Sequence, residues 1–350
     1  MKKQLLAAAI AAAVAVPMTA SAGDVTLYGT IHMSIDSYDR DSSAPGAFGG
    51  TASHDKPDAR DWLAVNSNNS ILGVKGTEDL GNGLSALFQM EFWMDADDRG
   101  SSNALRNNRN TFVGLAGSWG VVGIGGVDTP YKSSTGSLEL FSVVPGDYNG
   151  LYFDDIRASD AVFYMSPNWN GFSFQAAVVM PSLANAAGAD ADGVEATSIA
   201  LKYSNGPFFA AFAHEAITGE YVNALYTMVT TNDLDYDKWR IGLGYTANGF
   251  HVGFVYEDRD LDHVADGDSW QLSGSYTMGN NVLKAAYGEA DGMVRNSGMG
   301  FMVDDAEMWS IGLDHKLSKR TKVYAQYADF DTDADDTDMD AFSVGIVHKF

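Results

Sequence analysis

"WRIGLGYTANGFHVGFVY", Trp239 to Tyr256, alternates with period two on both sides of a single dipeptide. Trp239, Ile241, Leu243 and Tyr245 fall on one side of an extended chain; Arg240, Gly242, Gly244 and Thr246 fall on the other. Asn248-Gly249 suits a tight hairpin turn, and Phe250, Val252, Phe254 and Tyr256 resume the apolar side beyond it. Both halves read as amphipathic strands. Arg240 sits mid-strand and decides which side could meet a membrane. A basic side chain facing lipid at the bilayer midplane costs roughly 2–4 kcal/mol, so the apolar side faces outward and the polar side encloses water. Trp239 and Tyr245, like Phe250 and Tyr256, bracket the apolar side six residues apart. That is about 20 Å of strand; tilted, it nearly matches an apolar band about 25 Å tall between aromatic girdles.

The same period dominates Val25 to Asp36, Trp270 to Thr277 and Trp309 to Leu317, and Lys202 and Lys284 again fall on the polar side. No segment carries a 3.6-residue apolar stripe. About sixteen strands are predicted, over 24–38, 62–76, 83–95, 109–117, 121–127, 160–166, 172–180, 197–204, 207–215, 237–246, 249–259, 268–277, 281–290, 306–317, 321–331 and 340–350. Short turns (Ser118-Trp119-Gly120, Asn205-Gly206, Asn248-Gly249, Gly279-Asn280) alternate with long segments (39–61, 96–108, 128–159, 181–196, 216–236, 260–267, 291–305, 332–339). The alternation puts every short turn at one end of the sheet and every long loop at the other. A soluble sandwich or propeller would share the strand period but not this ordered series. The expected fold is all-β: an antiparallel transmembrane β-barrel with short periplasmic turns and long external loops. Closure requires the last strand to pair with the first, since an unpaired edge in lipid is prohibitive. Val25 to Asp36 and "DAFSVGIVHKF", Asp340 to Phe350, form the expected seam, with Phe350 in the lower girdle.

The 350 residues open with Lys2 and Lys3, an apolar run from Leu5 to Val16 and the small-residue site Ala20-Ser21-Ala22. This reads as a secretory signal over 1–22, removed to leave one barrel domain over 23–350. The net charge is −24; subtracting the two leader lysines leaves 20 basic against 46 acidic residues, or −26. That balance argues against nucleic acid as a partner. There is no cysteine, which excludes thiol chemistry and Cys-based metal sites. The seven histidines show no metal-ligand spacing, and His32 falls on the polar side of its strand. No G-x-S-x-G supports an esterase. "VVGIGGV", Val121 to Val127, precedes no helix and so offers no phosphate cradle. No cofactor is expected. Asp329 to Asp340, "DFDTDADDTDMD", lacks the glycine and terminal Glu of an EF-hand; it reads as a solvated external loop, with loose divalent binding beside lipopolysaccharide phosphates as the alternative.

"SILGVKGTEDLGNGLSALFQMEF" (Ser70 to Phe92), "RNTFVGLAGSWGVVGIGGVDTPY" (Arg109 to Tyr131) and "AVFYMSPNWNGFSFQAAV" (Ala161 to Val178) resemble the general Gram-negative porin family. With the leader and Phe350 the likeness covers essentially the whole chain. It implies a 16-stranded homotrimeric barrel in the outer membrane, in contact with lipid and lipopolysaccharide, that passes small hydrophilic solutes and ions passively. It implies that the third long loop, 128–159, folds inward to form a constriction, and that Phe350 is read by the barrel assembly machinery. It assigns Lys75, Arg109 and Arg157 to a basic wall, and Glu139 and Asp147 to the acidic loop facing it. Ile71 and Gly126 stand where relatives often carry arginine, thinning that wall. With the acidic composition, this leads to an expectation of cation preference. Substrate-specific uptake and a non-conducting surface or adhesive barrel are the alternatives; no enzyme is implied.

Overall fold

The computed structural model describes residues 24–40, 61–97, 105–106, 109–151, 153, 155–181, 193–218, 235–262, 265–296, 300–303, 305–333 and 338–350. The expected leader, 1–22, lies outside them. The strands are β1 (Asp24–Arg40), β2 (Asp61–Ser67), β3 (Ile71–Gly81), β4 (Leu84–Met94), β5 (Leu105–Arg106), β6 (Thr111–Gly117), β7 (Gly120–Asp128), β8 (Arg157–Met165), β9 (Phe172–Val179), β10 (Ala196–Asn205) and β11 (Phe208–Ile217). They continue with β12 (Tyr236–Ala247), β13 (Phe250–Leu261), β14 (Ala265–Met278), β15 (Asn281–Asn296), β16 (Gly300–Val303), β17 (Ala306–Lys316), β18 (Thr321–Thr332) and β19 (Met339–Lys349).

Every neighbouring pair is antiparallel, and β1 pairs with β19 to close the ring. The closing register sets Ile35 opposite Val344 and Ser37 opposite Phe342, as the seam expectation requires. The barrel has sixteen staves. β2 and β3 share one stave, interrupted at Asn69, whose φ is 56°. β5 and β6 share another, both pairing with β4. β16 pairs only with the upper end of β15, extending a hairpin where a plain loop was expected. The period-two pattern cannot tell such an extension from the stave beneath it. The described turns follow their chemistry: Asn248 (φ 54°) and Gly249 (φ 85°) are both left-handed, the geometry of the two-residue hairpin turn that matches strand twist.

The apolar sides point outward. Leu243, Val252, Leu272, Ile311 and Val344 are exposed there, as lipid-facing residues of an isolated barrel must be. Rings form two belts: Phe172–Tyr203, Phe208–Tyr245 and Phe250–Tyr276 below, Trp239–Tyr256, Trp270–Tyr287 and Trp309–Tyr327 above. Just above the upper belt, on the same outer face, lies a row of carboxylates in lateral register. Asp258 faces Asp268, which faces Asp291; Glu289 faces Glu307, which faces Asp331; Asp329 faces Asp340, which faces Asp39. Much of the chain's acid excess therefore hangs outside the channel.

Candidate functional site

The connection from β7 to β8 runs inside the barrel. It begins with a short helix, Pro130–Thr135, capped by Thr129, whose Oγ1 accepts from Lys132 N at 3.3 Å. Pro130 fits the first helical turn because its missing N–H would have no partner there. Six residues are too few to leave a periodic stripe, so the sequence reading foresaw no helix. The loop then passes along the inner faces of β12 to β18 and returns through a 3₁₀ turn, Tyr148–Leu151.

The wall grips this loop largely by its backbone. Ser273 Oγ donates to Leu138 O (2.9 Å), Lys284 Nζ to Leu140 O (2.9 Å), Gln326 Nε2 to Pro145 O (2.9 Å) and Ser269 Oγ to Leu151 O (2.7 Å). Tyr131 N donates to Ser198 Oγ at 3.0 Å. Close approach needs a bare wall: a Cβ added at Gly242 would stand 2.6 Å from Thr135 Cγ2, and one at Gly244 2.7 Å from Leu138 Cδ2. Arg240, fully buried, holds the loop electrostatically. It donates to Asp155 Oδ1 at 2.9 Å and pairs with Glu257 through Nε (2.9 Å) and Nη2. Asp155 also accepts from Lys132 Nζ and Tyr148 OH, each at 3.1 Å. Burial alone would raise the pKa of Asp155, but Lys132 and Arg240 outweigh it and hold the carboxyl below its usual value.

The two loop acids singled out in the sequence sit as neighbours. Asp147 is 3% exposed and shapes the tip, accepting from Val143 N (2.6 Å), Asn149 N (2.9 Å) and Asn149 Nδ2 (2.7 Å). Glu139 is half-buried; its Oε1 is buried without a hydrogen-bond partner. Burial, then the Asp147 carboxylate, pushes the Glu139 pKa well above its usual value. Asp154 lies outside the described residues.

The wall across from the loop is different. Lys75 is exposed on the inner face of β3, with Nζ 5.0 Å from the Tyr28 ring and no ion pair among the described residues. Trp93 lies among three guanidiniums: Arg106 at 5.0 Å, Arg157 at 5.7 Å and Arg109 at 6.0 Å from its ring. Each has a carboxylate: Arg106–Asp95 at 2.6 Å, Arg157–Asp128 at 2.8 Å and Arg109–Glu91 at 3.5 Å. Arg109 also donates to Asn69 Oδ1 at 2.8 Å, and Tyr28 OH to Glu91 Oε1 at 2.8 Å. Lys75, Arg109 and Arg157 thus share one wall, while Glu139 and Asp147 lie in the loop. The sequence reading missed Arg106 and Trp93 as members of this wall, and missed that Arg240 and Lys284 anchor the loop. The mid-strand positions of Arg240 and Lys284 were the available signal. His32 faces inward, is buried, and lies 2.8 Å from Tyr324 OH through Nε2.

A family model described as "Gram-negative porin" matches residues 7–335. The chain is 30% identical over 396 residues to an outer membrane porin protein of Bordetella pertussis, covering both chains completely. It is 26% identical to outer membrane porin protein 32 of Delftia acidovorans, over 94% of this chain and 89% of that one. Among solved structures, an anion-selective porin from Comamonas acidovorans superposes with a TM-score of 0.76 at 23% identity, covering 94% of this chain and all of the other. The trimer form of OmpT from Vibrio cholerae superposes at 0.66 with 17% identity, covering 94% of this chain and 100% of that one.

Proposed function

The chain belongs to the Gram-negative porin family of outer-membrane proteins, and on that footing we propose that it is a passive, trimeric diffusion channel for ions and small hydrophilic solutes. The observation that carries this reading is the pairing of a loop strapped along one side of the lumen with a basic wall on the other, where Lys75 is exposed. Such a gap passes solutes past fixed charges without making or breaking a bond.

Composition led to an expectation of cation preference. The positions of the charges favour the opposite. The carboxylate row lies on the outer face, and the acids of the basic wall are each paired with an arginine. Lys75 remains as an exposed cation, and Glu139 holds its proton more tightly than an ordinary glutamate. The proposed channel is therefore weakly anion-preferring, with Lys75 as the wall cation that sets its field. Asp147 shapes the loop through its hydrogen bonds to Val143 and Asn149.

The exposed aliphatic residues of β1 and β2 (Val25, Leu27, Ile35, Leu63 and Val65) suit a subunit contact better than a lipid–water interface, which favours Trp and Tyr. Lipid and lipopolysaccharide would meet the ringed arc. Phe350, exposed and bonded to Gly29 in both directions at 3.2 and 3.1 Å, would be the mark the assembly machinery reads.

Planar-bilayer recording across a salt gradient tests the proposal. Stepwise openings in groups of three, with a reversal potential on the anion side, are expected. A cation-side potential would remove the electrostatic half, and a silent bilayer would remove the channel.

A further inference from the structure

Seven short turns join neighbouring strands among the described residues, and six of them carry no lysine or arginine. The seventh, residues 317–320 between β17 and β18, carries Lys319 and Arg320. Three more cations meet it. β17 ends on Lys316, β18 sets Lys322 directly opposite, and β19 ends on Lys349, whose N–H donates to Arg320 O at 2.8 Å. Period two puts Lys316, Lys322 and Lys349 on the lumen side. Each lies two residues from a buried inner-face neighbour: Asp314, Tyr324 and Val347 respectively.

Residues directly opposite on an antiparallel pair have Cβ atoms about 4.5–5.5 Å apart, where like charges are destabilising. The carboxylates at hand offset little of this. Asp314 is shared between Lys322 at 2.6 Å and Lys284 at 3.4 Å. The chain terminus follows Lys349, and Phe350 O accepts from Gly29 N at 3.2 Å. Lys284, Lys316, Lys319, Arg320, Lys322 and Lys349 thus set six positive charges against Asp314 and the terminal carboxylate, an excess of four. Lys316, Lys319, Arg320 and Lys349 are exposed and have no ion pair among the described residues. A tetrahedral oxyanion can accept from several of these donors at once, with the lysines acting as point charges and the arginine as a planar fork. Chloride brings one charge and no spread of acceptors. We propose that the lower end of β17–β19 is a binding station for small polyvalent oxyanions, phosphate foremost, at the short-turn mouth of the channel. The proposal rests on the channel reading and names a solute class for it. Lipid headgroups carry the same phosphate chemistry, but parity turns the three lysines away from lipid; Leu317, His348 and Phe350 occupy the outer face of these strand ends.

Calorimetric titration of the detergent-solubilised protein at low ionic strength with chloride, sulfate and inorganic phosphate separates valence from simple charge. Sulfate and phosphate are expected to bind saturably and at least about tenfold more tightly than chloride, because the attraction scales with charge. Both are expected to slow the chloride current over the same concentration range, and to weaken as salt is added. The double variant Lys316→Gln, Lys349→Gln is expected to weaken phosphate about tenfold, and Lys316→Arg with Lys349→Arg to keep it. Phosphate binding no tighter than chloride overturns the station, as does a K316Q/K349Q protein that folds and binds phosphate like the wild type. Dihexanoyl phosphatidylglycerol that displaces phosphate at equal concentration sets the cations against lipid and likewise overturns a station in the lumen. The ion series needs no variant, so misfolding cannot blunt it. A conducting protein indifferent to sulfate and phosphate removes the station and leaves the channel; a silent bilayer removes the channel, with calorimetry still deciding the station.

Discussion

Arg240 and Arg157 both belong to the lumen lining of one barrel, yet they differ in surroundings. Arg240 has no exposed surface and is shared between Glu257 and Asp155. Arg157 keeps 22% of its side chain exposed, beside a Trp93 ring that two more guanidiniums approach. The difference comes from what stands in front. A loop packed against the β12–β18 wall excludes water and buries Arg240 with its partners; the opposite wall has no such cover, so Arg157 keeps part of its surface even though it is paired with Asp128. In the proposed channel, buried charges fix the shape of the lumen and the more exposed ones set the field inside it. Counting residue types treats the two alike.

The comparison breaks most visibly at Arg240. Removing one partner of a buried pair leaves an uncompensated charge and costs about 3–5 kcal/mol. Arg240→Ala should therefore lower the temperature at which the folded barrel is lost on semi-native gels, and raise single-channel conductance as the loop loosens. Wild-type values for both would mean that the buried charges hold nothing. Gly242→Val comes next. Its Cβ meets Thr135 and Leu138, and overpacking of this kind costs roughly 1–3 kcal/mol. The expected readout is altered conductance with the barrel's circular dichroism retained; unchanged conductance would deny that the loop lies so close.

Glu139 and Asp155 predict opposite pH slopes on one loop. The raised pKa of Glu139 means the native state binds its proton more tightly than the unfolded chain, so its contribution is full below about 4.3, the ordinary glutamate value, and declines as pH rises. Asp155, held low, contributes above the ordinary aspartate range and loses that contribution as pH falls through its depressed value. Glu139→Gln should flatten the loss on the alkaline side while sparing the acid side, as read by thermal midpoints between pH 5 and 9. A variant with the wild-type profile would show that this carboxyl is solvated. The smallest stability effect belongs to Lys75→Glu. An exposed position should change stability by no more than about 0.5 kcal/mol, while the reversal potential moves toward cations. A reversal potential that stays put would take Lys75 out of the field.

The barrel itself was legible because its period is short and repeated in every stave. One mid-strand charge, Arg240, sufficed to orient it. The sequence named Lys75, Arg109 and Arg157 where a motif held them, and the structure sets all three on one side of the barrel. The interior loop was legible in length but not in path, since Leu138, Phe141 and Leu151 read as ordinary apolar residues until the bare glycines of the facing wall are seen. Trp93 and Arg106 escaped notice because a ring among guanidiniums is a matter of distance across staves, not of spacing along one. The acid count carried no position for a related reason: parity along β13 to β19 puts those carboxylates outside.

The stitches between barrel and loop end mostly on main-chain oxygens, those of Leu138, Leu140, Pro145 and Leu151. Such attachment is blind to most side chains it carries, much as a garment can be dyed without resewing. Lumen-facing residues of the loop can therefore be repainted, by evolution or by design, while its course across the opening stays the same.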